Sequence, residues 1–159
     1  MRLAKEESHQ FLEGKVVADF GCGPRGSLCW ATSARCRIGI DVLADSYMEF
    51  DISEQNMVYV ASSEKKIPLP TNYLDIMFTM NALDHTSFIG LMCSEIVRVI
   101  KPGGTFIGSF NLAERGTFSE PQTLYEDKLE SSLLHRFIPV HREFEDKGTS
   151  KLVFRGIKN

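Results

Sequence analysis

The chain has no C-x-x-C pair, no apolar run as long as a membrane span, no internal repeat, no low-complexity segment and no large excess of either charge. Its four cysteines, Cys22, Cys29, Cys36 and Cys93, match no familiar zinc spacing, so they imply no metal site. Reduced thiols in a cytoplasmic protein are the expectation. Cys36 and Cys93 lie in apolar contexts and read as packing residues. The first ten residues are polar and charged, so no secretory signal is visible and no membrane partner is expected. A formal net charge of −3 gives no general attraction to nucleic acid or to an anionic surface, though it leaves room for local basic patches.

What is present has the balance of a soluble globular protein, 43% hydrophobic and 25% charged. A chain of 159 residues can bury the core of one domain and is too short for two ordinary ones. Residues 1–159 are therefore read as a single domain.

The most informative stretch is Val16 to Leu28, VVADFGCGPRGSL. Val16, Val17 and Ala18 form the apolar run expected of a strand buried on both faces. The run ends in Asp19, and Gly21, Gly23 and Gly26 then spell G-x-G-x-x-G, with Asp41 about where an acidic ribose ligand would fall. Glycines permit a sharp turn and let a ligand approach bare backbone. A tight turn with no ligand is the plainer alternative. Charge then separates the cofactors. A dinucleotide would bring a pyrophosphate close to the Asp19 carboxylate, and like charges at about 4 Å cost on the order of 1–4 kcal/mol. S-adenosylmethionine has no phosphate and carries an ammonium and a sulfonium, which the same carboxylate attracts. Pro24 also removes an N–H that a phosphate cradle would use.

Along the chain, residues 3–13 suggest a short helix, Leu28 to Ala34 a helix after the glycine turn, and Cys36 to Val42 a strand ending in Asp41. Ala44 to Glu49 reads as a helical turn and Asn56 to Ala61 as a strand, and Pro68 and Pro70 exclude regular helix or a central strand just beyond it. Leu74 to Ala82 is the most apolar strand candidate. Ser87 to Ile100 has helical spacing, with Ser87 as its cap and Lys101-Pro102-Gly103-Gly104 as its stop. Thr105 to Leu112 is a strand, Gln122 to Leu134 a helix, and residues 135–146 and 150–158 two strands joined at Lys147-Gly148. Alternating strands and helices followed by a hairpin imply a doubly wound, mostly parallel α/β sheet with helices on both faces. Asp19, Asp41, Ser62 and Asn81 all fall at expected strand ends, where such sheets bind ligands.

Four segments, in order, resemble class I S-adenosylmethionine-dependent methyltransferases, the Rossmann-like methyltransferase superfamily. VVADFGCGP is similar to the first motif and GIDVLAD to the acidic end of the second strand. IPLPTNYLDIMFTMNALDH is similar to the fourth-strand region, and EIVRVIKPGGTFIGSF to the helix–PGG–fifth-strand segment. The resemblance covers nearly the whole chain and implies a seven-stranded sheet with an antiparallel C-terminal strand. It implies that Asp19 accepts from the methionine ammonium, directly or through water. Gly21 and Gly23, with the backbone of Phe20 and Cys22, would lie along the methionine. Asp41 would accept the ribose hydroxyls, Val42 would pack on the adenine, and the Asn81 carbonyl would face the ammonium. Ser63 stands where the family often has an acidic adenine ligand, and Glu64 is the alternative acceptor. Arg25 reaches the cofactor carboxylate or faces solvent.

The implied reaction transfers the methyl of S-adenosylmethionine to an O, N or C nucleophile of a small molecule, leaving S-adenosylhomocysteine. His85, just beyond the fourth strand, is the best-placed general base; packing or capping is its ordinary alternative. Glu120, Tyr125, His135 and His141 lie in the region that covers the substrate in the family. No motif for nucleic-acid amino groups follows the fourth strand. The short chain carries no inserted lid, so either the substrate is small or a second subunit or partner protein completes the site. The rival readings are a catalytically inactive module that binds S-adenosylmethionine and an NAD-dependent oxidoreductase.

Overall fold

A computed structural model describes residues 4–50, 55–118, 120–146 and 150–159. Seven strands form one sheet: β1 Val16–Phe20, β2 Cys36–Asp41, β3 Val58–Ala61, β4 Leu74–Met80, β5 Ile100–Asn111, β6 Phe137–Asp146 and β7 Ser150–Lys158. Their order is β3-β2-β1-β4-β5-β7-β6. The strands from β3 to β5 pair in parallel, and β7 runs antiparallel to both β5 and β6. The expected doubly wound sheet with an antiparallel C-terminal strand is therefore present. The turn expected at Lys147-Gly148 lies outside the described residues.

Strand alternation divides the core into two faces. On one, Val16, Ala18, Phe20, Ile38, Ile40 and Met77 pack with α2 (Ile89–Val99) and α3 (Glu126–Ser132). On the other, Val17, Ile76, Phe78 and Ile107 are covered by Leu12 of a 3₁₀ turn at His9–Leu12 and by Leu28 and Ala31. The chain's single tryptophan, Trp30, lies in this second cover, 6.1 Å edge-on to Phe78 and 5.0 Å from the His9 ring. Asp75, at the start of β4, ties three strands: its carboxylate accepts from the Val16 N–H at 2.8 Å and from Lys101 Nζ at 2.5 Å.

Three local expectations give way. Residues 28–34 form turns, not a helix, with Ala31 N–H donating to Leu28 O and Ala34 N–H to Ala31 O. The reason is reach: the eight residues after the glycine turn would span roughly 12 Å as helix, against roughly 17 Å needed to return along a five-residue strand. α2 begins at Ile89 behind an N-cap at Phe88, and Ser87 makes no cap bond; Cys93 and Val97 face inward, while Leu91 is half exposed. The Lys101-Pro102-Gly103-Gly104 segment lies inside β5, beside a register shift against β4. A short α1, Ala44–Tyr47, forms where a helical turn is expected.

Candidate active site

The order of strands reverses between β1 and β4: from β1 the chain goes to β2 on one side, and β4 pairs on the other. Crossover connections leave a crevice there, beyond the carboxyl ends of the strands. A cavity of about 290 Å³ occupies that position, with walls that include Phe20, Gly21, Gly23, Asp41, Val42, Ser62, Glu64, Asn81 and His85. The glycine turn is held at the β2 end: Gly21 N–H donates to Ile40 O at 2.8 Å, and Gly23 N–H donates to Asp41 Oδ2 at 3.0 Å. Asp41 Oδ1 accepts from Leu43 N–H, also at 3.0 Å. Tyr47 also hydrogen-bonds this carboxylate, which can accept about four bonds in all. Tyr47 stands beside it, and burial together with the Asp41 carboxylate pushes the phenol above its ordinary range.

Three of the residues expected to hold the cofactor stand off the cavity wall. Asp19 points to the opposite face of the sheet from Phe20, beneath the glycine turn, because successive strand residues alternate. It is buried. Its Oδ2 accepts from the Ser27 hydroxyl and its Oδ1 has no partner. Burial, together with the nearby Asp41 charge and against the Ser27 hydrogen bond, pushes its carboxyl up to about 6. Cys22 tucks against Gly39, and burial raises its thiol to about 12, beside the charges of Asp19 and Asp41. Ser63 turns away: its Oγ accepts from Lys65 N–H and donates to Lys66 O. The serine on the wall is Ser62, placed there by its N–H bond to Asp41 O at 3.0 Å. Leu43, Tyr47, Ala82, Thr86 and Met92 complete the wall; none carries a motif that the sequence alone would flag.

At the open side, His85 sits in a 3₁₀ turn, Leu83–His85, with its Nε2 3.7 Å from Glu120 Oε1. His135 and His141 are engaged elsewhere, with Glu130 O and Glu143, and are off the cavity wall, as are Arg25 and Tyr125.

The cavity can be asked which cofactor it fits. Asn81 Oδ1 and Ser62 Oγ on the wall, and Asp19 Oδ1 beneath it, are buried without partners among the described residues. Asp41 and Glu64 add two carboxylates, and among the described residues no lysine or arginine lines the cavity. Such a wall asks for a ligand rich in donors and positive charge. A pyrophosphate would meet carboxylates, with no helix N-terminus after the glycine turn to offset them. S-adenosylmethionine fits this donor set.

The sequence pattern of the methyltransferase domain family, described as "Methyltransferase domain", matches residues 18–108, more than half of the chain. The chain belongs to that family. Its match runs from β1 into β5 and so spans every strand end that borders the cavity. Among curated relatives, this methyltransferase domain is 30% identical to the malonyl-[acyl-carrier protein] O-methyltransferase of Yersinia pestis over 128 residues, 74% of this chain and 46% of that protein. The chain spans less than half the length of the curated relatives it matches. Among solved structures, a SAM-dependent methyltransferase from Aquifex aeolicus superposes with a TM-score of 0.70 at 22% identity, over 92% of this chain and 84% of that one. The [4+2]-cyclase SpnF superposes equally well, with a TM-score of 0.71 at 19% identity over 92% of this chain and 75% of that one. At those identities the likeness is one of fold. Among the described residues, no helix of this methyltransferase domain is long and apolar enough to cross a membrane.

Proposed function

We propose that this domain binds S-adenosylmethionine in the cavity between β1, β2 and β4 and transfers its methyl group to a small molecule, and that residues 1–159 act as one such domain. The observation that carries the reading is the wall itself: among the described residues it has carboxylates and unpartnered acceptors and no lysine or arginine. When bound, the cofactor supplies a methyl group already activated by its sulfonium. Asp41 accepts from the ribose hydroxyls with the capacity that Gly23, Leu43 and Tyr47 leave free. Gly21 and Gly23, with the backbone of Phe20, border the methionine part, and Asn81 accepts from its ammonium. Asp19 adds negative charge from beneath. Val42 packs on the adenine, and Ser62 or Glu64 accepts from its amino group, in place of Ser63. Cys22 contributes backbone only. The four free thiols support a cytoplasmic location.

Calorimetric titration is expected to show binding of S-adenosylmethionine and none of NAD. Asp41→Ala should weaken the cofactor by about 1–3 kcal/mol, since a charge-assisted acceptor is lost. Tight NAD binding, or unchanged affinity in the folded variant, overturns the assignment.

His85 is the group proposed to act on the proton of the acceptor, with Glu120 opposite it. His85→Ala should lower turnover by a factor of about 10²–10⁴ while leaving cofactor affinity nearly unchanged, because only the transition state uses it. A folded variant with full turnover across a panel of alcohol, amine and carboxylate acceptors removes His85 from the mechanism. Cofactor binding by the wild type with no turnover on any acceptor would favour the non-catalytic module.

A further inference from the structure

Beside the cavity, three side chains from two distant parts of the chain converge. Asp84 and His85 come from the turn after β4. Glu120 comes from the stretch between β5 and α3, where Thr117 Oγ1 accepts from its N–H at 3.1 Å. Two residues on, Gln122 N–H donates to Asp84 O at 3.1 Å and pins the stretch to the turn. One ligand atom from each of the three lies within 4.8 Å of the other two. His85 lines the cavity wall, so the cluster opens toward the cofactor pocket.

A plain His85–Glu120 ion pair accounts for two of these groups and leaves the third unexplained. Asp84 is 7% exposed, and its Oδ1 has no partner among the described residues. A carboxylate oxygen taken out of water without a donor is costly. A carboxylate oxygen of Asp84 lies within 4.8 Å of a Glu120 oxygen and a His85 ring nitrogen, and Glu114 adds a further negative charge nearby. Two atoms bound at about 2.0–2.2 Å to one ion lie roughly 3–4 Å apart, and the His85 Nε2–Glu120 Oε1 distance of 3.7 Å falls in that range.

We propose that Asp84, His85 and Glu120 bind a divalent transition-metal ion at the mouth of the cofactor pocket. Two carboxylates and one imidazole suit Mn²⁺ or Zn²⁺. Three protein ligands leave open positions, and the side bordered by His85 faces the cavity. A substrate oxygen entering there would be bound and its pKa lowered, which makes the acceptor class a hydroxyl-bearing small molecule. In that state His85 is a ligand, and the ion lowers the pKa of the bound hydroxyl so that its proton passes to solvent water. The ion's role in the reaction rests on the methyl-transfer reading; its binding does not.

The test reads the metal directly. Protein stripped with a chelator is titrated with Mn²⁺ and followed by the electron paramagnetic resonance of the free ion, then with Co²⁺ and followed by its visible absorption. One saturable site is expected, weakened at least about tenfold by Glu120→Gln and by Asp84→Asn. His85→Ala should change the Co²⁺ spectrum as the nitrogen ligand is lost. Glu120 is half exposed, so its variant should fold even if the Asp84 variant does not. No saturable binding by the folded wild type overturns the proposal, as does equal binding by wild type and Glu120→Gln. Cofactor titration of the same stripped protein keeps the two readings apart: S-adenosylmethionine binding without metal binding sinks the ion alone, and metal binding without S-adenosylmethionine binding sinks the cofactor assignment alone.

Discussion

Asp19→Asn should raise the stability of the ligand-free protein at neutral pH and weaken S-adenosylmethionine binding by about tenfold or more. Both effects come from one buried carboxylate. Burial raises its folded-state pKa from the ordinary 3.8 to about 6, so the folded chain holds more protons than the unfolded chain between those values. The stability contributed by the protonated form is fully present below about pH 4 and is lost as pH rises through about 6. At pH 7 the ionised group costs roughly 3 kcal/mol, two pKa units at about 1.4 kcal/mol each. Asparagine removes the charge and can still accept from Ser27. The gain falls short of the full 3 kcal/mol, because its amide N–H groups also need partners. A cationic ligand reverses the balance. Its affinity should follow the ionised fraction of Asp19, falling toward tenfold per pH unit below about 6 in the wild type and staying flatter in the variant. Thermal melts and calorimetry from pH 5 to 8 measure both. A variant that is less stable at pH 7, or that binds with unchanged affinity and pH dependence, would show that Asp19 is a structural member of the turn.

Gly21→Ala should be the most damaging single-methyl change near the cavity. Gly21 has φ +75°, and a Cβ there would run into Ala82 Cβ at the end of β4. Overpacking of this kind costs about 1–3 kcal/mol, and the left-handed backbone adds about 1–2 kcal/mol for any residue with a Cβ. A loss of about 2–5 kcal/mol is expected in denaturant unfolding, with loss of cofactor binding because both residues line the cavity. Gly23→Ala gives the contrast. Its φ is +61°, but nothing lies within 4 Å of the added carbon, so only the backbone cost of about 1–2 kcal/mol should appear. The double variant Gly21→Ala/Ala82→Gly should recover the collision and keep the backbone strain. No recovery in the double variant would mean that the collision is not the cause.

The parts of the fold that follow from alternation and apolar runs were legible in the sequence. Val16–Val17–Ala18, the β4 run and the carboxylates at strand ends placed the sheet and one end of it correctly, because buried parallel strands leave few alternatives. Which of the two serines faces the cavity was not legible. A shift of one residue at a strand end exchanges inside for outside, and Ser62 and Ser63 are chemically identical. The missing helix after the glycine turn had no local signal either, since Leu28, Trp30 and Ala31 read as one helical face while the length available to them forbids it. The Asp84–His85–Glu120 group needed the folded chain. His85 and Glu120 are 35 residues apart in the chain, and the Gln122–Asp84 backbone bond pins their two segments together.

The turns that replace that helix carry the chain's only tryptophan, which gives the protein an optical handle on one layer of its structure. Excited at wavelengths that tyrosine does not absorb, the folded chain emits from Trp30 alone, held against Phe78 of β4 and the His9 ring. Its fluorescence therefore reports whether residues 21–35 still lie on the sheet, independently of α2 and α3 on the far side. A loss of circular dichroism without a shift in this emission would come from the helical layer. A red shift at constant helicity would come from the layer that carries the glycine turn, and the two halves of the core can be followed separately in one cuvette.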